Sequence, residues 1–270
     1  MTQQVTQRVR AQGAAMATAH GRLDSLDALR TVAMVWMTVF HVCYDLNWLG
    51  MMPSQQFLSD PFWTWQRTAI VSLFLFTAGV GQAVALQAQG LEGLPWQQRF
   101  GARFWRRWRQ VAGAALLVTV GSALVFPNSF IFFGVLHGLA VMLVLLRLTA
   151  GWGRWLWLAA GVVVTLKFVA ESLIRTSDGW QFFNEKWLSW LGLVGRKPVT
   201  EDYVPIVPWL AAVWVGLCVG RWVLQHRPQW LSASSPVLRV LAVPGRWSLS
   251  YYLLHQPVLL GVLLAYKALA

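Results

Sequence analysis

Seven apolar blocks constrain this chain more than anything else in it: Leu29–Leu49, Thr68–Ala88, Val111–Phe126, Ile131–Leu148, Leu156–Leu173, Val204–Leu224 and Ser248–Leu269. The hydrocarbon core of a bilayer is about 30 Å thick and takes about 20 helical residues to cross, so blocks of this length read as membrane spans. Apolar residues make up 57% of the chain and charged residues only 12%, against roughly 45–50% and about 25% in soluble domains. The expected fold is therefore all-α, a polytopic membrane bundle of about seven transmembrane helices with a cytoplasmic N-terminus. Residues 1–26 hold Arg8, Arg10 and Arg22 but no apolar run of signal-peptide type, so they read as a retained tail before a membrane domain over residues 27–270.

The net charge of +12 would suit a nucleic acid or an anionic surface, and its distribution decides between them. If the tail is inside, the inner segments hold Arg8, Arg10, Arg22, Arg99, Arg103, Arg106, Arg107, Arg109, Arg147, Arg154, Arg221, Arg227, Arg239 and Arg246. The outer ones hold only Arg67, Arg175, Lys186, Arg196, Lys197 and Lys267, so the positive-inside bias sets the orientation. Many of the 18 tryptophans stand at block ends, where their amphipathic rings suit the headgroup region. The interleaved Phe104-Trp105-Arg106-Arg107-Trp108-Arg109 reads as an interfacial helix on anionic lipid, not a nucleic-acid surface. Pro127-Asn128-Ser129 would turn the third and fourth blocks into a hairpin. The connection Arg175–Asp202, rich in Trp and Phe, is expected to rest on the membrane surface, with a re-entrant helix as the alternative. Cys43 and Cys218 lie inside apolar blocks and offer no disulfide framework or metal site.

Ionisable groups within spans are costly, about 2.5–3.5 kcal/mol at the bilayer centre on insertion scales, so they mark functional candidates. Arg30, His41 and Asp45 fall on one face of the first span, with Met34, Met37 and Tyr44 alongside, and Arg30 sits roughly 16 Å below His41 at about 1.5 Å per residue. One turn apart, His41 and Asp45 could form a dyad in which the carboxylate orients the imidazole; the competing reading is a buried polar pair that fixes packing. His137 lies within a Gly134–Gly138 small-xxx-small pattern that permits close backbone approach and is either a site residue or a satisfied core residue. The last span carries Ser248, Tyr251 and His255 on one face and Gln256 before Pro257, which would free a carbonyl near Leu253. Lys167 and Glu171, at i,i+4, read as a mutually neutralising pair. Asp202, ahead of Pro205, stays open between a structural and a site role. Nucleotide-hydrolase, nucleophile-elbow and zinc-protease motifs are missing from the sequence.

Arg22-Leu-Asp-Ser-Leu-Asp-Ala-Leu-Arg30, followed by Met37-Thr-Val-Phe-His41-Val-Cys-Tyr-Asp45-Leu-Asn47, resembles the opening of bacterial membrane proteins related to the catalytic domain of heparan-α-glucosaminide N-acetyltransferase. Ser72-Leu-Phe-Leu-Phe-Thr-Ala-Gly79, Phe132-Phe-Gly-Val-Leu-His137, Asp202-Tyr-Val-Pro-Ile-Val-Pro-Trp209 and Gly245-Arg246-Trp-Ser248-Leu-Ser-Tyr-Tyr-Leu-Leu-His255-Gln256-Pro257 look like later motifs of that family, in order. The resemblance implies an acyltransferase of a bacterial inner membrane that takes acetyl-CoA as donor substrate, without a metal, and a glycan or small-molecule acceptor. Arg30 and His41 stand where the wider superfamily tends to keep an arginine and a histidine. Two departures matter: Thr31 replaces a glycine common after that arginine, and the outer-loop histidine of the lysosomal enzyme has no counterpart between Gly50 and Gln66.

The expected chemistry is general-base catalysis by His41, oriented by Asp45, with an acyl-histidine as the variant route. His137, His255, Gln256, Tyr44 and Asp202 would support the site. Arg30, Arg246, Ser248, Arg106 and Arg107 would meet the phosphates of coenzyme A. Membrane lipids are expected partners, nucleic acid is not, and a homo-oligomer is left open. The rival readings are a proton-coupled transporter or lipid flippase using the same residues as a relay, and a non-catalytic membrane partner.

Overall fold

The structure, a computed structural model, describes residues 23–231 and 235–269; the tail expected over residues 1–26, including Arg8, Arg10 and Arg22, lies almost wholly outside them. All described regular structure is helical: α1 (Asp24–Trp48), α2 (Pro61–Ala88), α3 (Ala102–Val125), α4 (Val135–Thr149), α5 (Trp155–Thr176), α6 (Ile206–His226), α7 (Pro236–Gly245) and α8 (Ser248–Leu269). Seven of these, all but the ten-residue α7, are long and apolar enough to cross a membrane, α4 together with the 3-10 turn that extends it to Trp152. The chain is a multi-pass membrane protein. It divides into two compact units, residues 78–227 and residues 22–77 with 228–270, and α2 runs from one into the other.

In the unit of residues 22–77 and 228–270, α1 is packed by α7 and α8. Val32, Val35 and Val39 of α1 are exposed, while Ala28, Thr31, Met34, Met37 and Asp45 are buried, so the i, i+3, i+4 rule sets an aliphatic face outward and the polar-bearing face inward. Four rungs join α1 to α8: Thr38 to Tyr251, His41 to His255, Asp45 to Gln256, and Leu49 O to Lys267. Residue numbers rise together along both helices, so the pair is parallel, as the first and seventh of seven alternating spans must be. α8 continues through Pro257.

The α7 helix was not visible as an apolar block. Ser235 caps it by accepting from Leu238 N at 3.1 Å, and Pro236 takes the first-turn position where a missing N–H does no harm. Gly245 at its end lies so close to α1 that a Cβ there would overlap the Asp27 carbonyl and come within 3.0 Å of Thr31 Oγ1. Thr31 itself donates to Leu241 O at 2.5 Å.

In the unit of residues 78–227, α3 packs on α4, and α6 on both α4 and α5. The expected α3–α4 hairpin forms, with its turn at residues 127–129. Glycines set the closest approaches: a Cβ on Gly220 would come within 2.8 Å of Ala83 Cβ, and one on Gly138 would meet the Val204 carbonyl. The Gly134–Gly138 pattern thus admits an extended segment, residues 202–204, rather than a neighbouring helix. Phe133 and Tyr203 form an isolated parallel bridge there.

Two features differ from the sequence reading. The stretch Phe104–Arg109 is not a separate interfacial helix; it makes the first turns of α3, because nothing between Gly101 and Val111 breaks the helix. The connection after α5 contains a 3-10 stretch, Asp178–Asn184, and one helical turn, Lys186–Ser189; neither is long enough for a re-entrant helix. The Lys167–Glu171 pair forms at 2.6 Å, and Arg175 joins it at 2.5 Å.

Replacing Gly245 by Val overpacks the α1–α7 seam, and core overpacking costs roughly 1–3 kcal/mol. The expected result is a lower Tm for the detergent-purified G245V protein, while Gly261→Val, at a position with open space around it, leaves Tm unchanged.

Candidate active site

The polar face of α1 meets that of α8 in a short hydrogen-bonded ladder whose proton positions follow from its ends. Thr38 Oγ1 gives its one proton to Met34 O at 2.8 Å, so Tyr251 donates to Thr38 at 2.5 Å. A carbonyl can only accept, so His255 Nδ1 donates to Tyr252 O at 2.8 Å. In the neutral ring its Nε2 then carries a lone pair, and it accepts from His41 Nδ1–H at 2.8 Å. The two imidazoles lie nearly parallel, at 19° with centroids 5.0 Å apart, and the Tyr251 ring lies within 6° of the His255 plane. His41 Nε2 consequently holds a lone pair, and no described residue hydrogen-bonds to it.

One turn further along α1, Asp45 is 3% exposed. Gln256 Nε2 donates to both of its oxygens, at 2.8 and 3.0 Å, and the Gln256 Oε1 left over is buried without a partner among the described residues. The dyad expected between His41 and Asp45 does not form as a direct hydrogen bond. Spacing of four places both on one face, but each side chain is met by a nearer partner across the helix pair, His255 for the imidazole and Gln256 for the carboxylate. Tyr44 lies beside them with its ring edge-on to Phe57 at 5.4 Å. Phe57 is buried in the loop between α1 and α2, which is held by Gln55 N donating to Asn47 Oδ1 at 2.7 Å.

Three of the arginines expected to meet a donor, Arg30, Arg107 and Arg246, already have partners. Arg30, in the second turn of α1, pairs with Asp27 at 2.8 Å, and Arg246, just past the end of α7, pairs with Asp24 at 3.0 Å. Ser248 opens α8, half-buried. Arg106 and Arg107 are exposed on α3, with Arg107 donating to Gln110 at 3.2 Å.

His137 and Asp202 have local duties. Gly134 N donates to His137 Nδ1 at 3.3 Å, so Nε2 bears the proton and reaches Thr119 Oγ1 at 3.0 Å; Thr119 in turn donates to Ile131 O. Asp202 Oδ2 accepts from Val135 N at 2.7 Å, a carboxylate at the N-terminus of α4, where the free amides and the dipole favour it. Both side chains secure the start of α4.

Sequence reasoning missed Thr38, although it lies one turn before His41 on the same face. It also took Arg147 for a loop charge. Arg147 is 1% exposed inside α4, and an arginine within an apolar block was the signal. Among the described residues, no cluster of His, Cys, Asp and Glu could hold a metal ion.

The geometry is that of an intramembrane polar site built around an oriented histidine. No curated protein and no solved structure matches the chain. A family model, heparan-alpha-glucosaminide N-acetyltransferase, catalytic, matches residues 22–257, a range that runs from the arginine before α1 to the proline just after Gln256. The chain therefore belongs to that family of membrane acetyltransferases.

Proposed function

We propose that this protein moves an acetyl group from acetyl-CoA to a hydroxyl or amine acceptor, with His41 as general base. The observation that carries this reading is the His255–His41 relay, which leaves His41 Nε2 as an oriented lone pair without a protein partner. Family membership supports an acetyl donor and makes a glycan the first acceptor class to try.

In this reading His41 Nε2 takes the proton from the acceptor O–H or N–H as that atom attacks the thioester carbonyl. The new C–O or C–N bond forms, the C–S bond breaks, and His41 returns the proton to the departing thiolate, so that coenzyme A leaves as its thiol. His255 serves as the group behind the base. It holds the tautomer of His41 and accepts the Nδ1–H that becomes more acidic when the imidazole charges, while the Tyr252 carbonyl fixes His255 in turn. Asp45 and the unpartnered Gln256 Oε1 are acceptor-only groups and suit the donor hydrogens of a sugar or amine. Arg30, Arg246 and Ser248 supply charge and hydrogen bonds for coenzyme A phosphates in the same unit as His41, the arginines exchanging their aspartates for the ligand. An N-terminus on the inner side fits the loop charges.

Removal of a general base typically costs a factor of about 10²–10⁴. His41→Gln is expected to lower acetyl transfer in proteoliposomes to that extent, with Tm within a few degrees of wild type. Full transfer by a folded H41Q protein, or proton-driven solute uptake without acetyl-CoA consumption, overturns the reading in favour of a transporter.

A positioning role for His255 makes a different demand. His255→Ala should lower kcat about tenfold or more with little change in KM for the donor. Nitrogen NMR of labelled histidine should report the loss of the single His41 tautomer. Asp45→Asn should chiefly raise KM for the acceptor; an unchanged KM removes Asp45 from acceptor recognition.

A further inference from the structure

The unit of residues 78–227 contains a cavity of about 210 Å³ lined by Gln82, Gln89, Arg103, Phe104, Arg107, Trp108 and Arg147, among others. Its floor is unusual. Arg147 is 1% exposed, donates through Nε to Gln82 Oε1 at 2.8 Å and through Nη1 to Arg99 O at 2.8 Å, and lies 5.0 Å from the centre of the Phe104 ring. These are neutral partners. Nη2 finds no acceptor among the described residues, and no carboxylate pairs with the guanidinium.

The surroundings add charge of the same sign. Arg99 is buried against the end of α4, where it donates to Leu94 O and to the carbonyls of Arg147 and Leu148. Burial first, and then the neighbouring Arg221, push its guanidinium below the ordinary arginine value, with Glu92 acting the other way. That glutamate is committed to Arg221 in a two-point pair, at 2.7 and 3.1 Å. One carboxylate therefore serves Arg99, Arg147 and Arg221, and two further arginines, Arg103 and Arg107, stand at the cavity wall.

A buried cation without a counter-ion is costly, several kcal/mol after relaxation, and three guanidinium forks around one cavity suit a phosphate, which presents more charge and more acceptor oxygens than a single carboxylate. We propose that this cavity binds the phosphate group of a phosphate ester, through Arg147 from within and Arg103 and Arg107 from the rim. Its volume falls below the roughly 300–1,000 Å³ of sites that engulf a drug-sized ligand, so it takes the charged group while the rest of the ligand stays outside, along the Trp108 side. An anionic phospholipid headgroup and a soluble phosphate ester both present this chemistry. For a soluble ester the inference rests on the acetyl-CoA reading proposed above; for a lipid headgroup it stands without it.

The test is binding, without turnover, to the full chain in a neutral detergent. Dihexanoyl phosphatidylglycerol and adenosine 3′,5′-bisphosphate are titrated by calorimetry against wild type, Arg103→Gln/Arg107→Gln and Arg147→Gln. The site predicts saturable binding of at least one probe, weakened about tenfold or more in the double variant, each tenfold being 1.4 kcal/mol. Phosphatidylglycerol alone identifies a lipid headgroup, the bisphosphate alone a soluble ester, and both a site that reads only the phosphate. The double variant alters exposed residues, so it decides the matter even if R147Q fails to fold. Absence of saturable binding by either probe, or equal affinity in wild type and the double variant, overturns the proposal.

Discussion

Hydrocarbon offers no hydrogen bonds, so each polar group carried into it must find a protein partner or remain at several kcal/mol of disadvantage. That requirement organises both units. Along α1 and α8 it is met by a ladder of donors and acceptors: Tyr251 to Thr38, His41 to His255, Gln256 to both oxygens of Asp45, Lys267 to Leu49 O. In the other unit it is met at the ends of α4, where Asp202 takes the amide of Val135 and Arg99 takes the carbonyls of Arg147 and Leu148. The lone pair on His41 Nε2, the oxygen Oε1 of Gln256 and the Nη2 group of Arg147 stand out because the rule is obeyed nearly everywhere else.

The same requirement explains what the sequence could and could not disclose. Seven apolar blocks are a property of composition along the chain, and they map onto the seven long helices with boundaries displaced at several ends. α2 and α3 begin at Pro61 and Ala102, ahead of the apolar residues, because Trp, Arg and Gln continue a helix through the interface without adding hydropathy. Polar residues at a helical period were legible as a face: His41 and Asp45, and Tyr251 with His255. Partner choice was not, since it depends on which helix lies alongside. Spacing along α1 suggested His41 with Asp45; the register between α1 and α8 pairs them with His255 and Gln256 instead. α7 stayed hidden because ten residues with prolines at both ends make no span-length block.

The departures from the family pattern also acquire physical meaning. Thr31, where a glycine is common, places a hydroxyl against the carbonyl of Leu241, and the room for that approach comes from Gly245 on the facing helix, whose Cβ would strike α1. The missing outer-loop histidine has no such local replacement in the loop after α1, where Phe57 packs on Tyr44 and stacks on Trp63 at 4.0 Å. These aromatic rings offer no base.

The proposed chemistry therefore moves into the span, to a histidine whose supporting group is another histidine. A carboxylate behind His41 would place a second buried charge next to a developing imidazolium. His255, tied to a backbone carbonyl, fixes the same tautomer with neutral groups only. In a low-dielectric interior a neutral relay avoids the desolvation of a permanent ion, while Asp45, one turn away and bound by an amide, remains available to the acceptor. Charge is then confined to the moment of proton transfer, the only moment at which the reaction requires it.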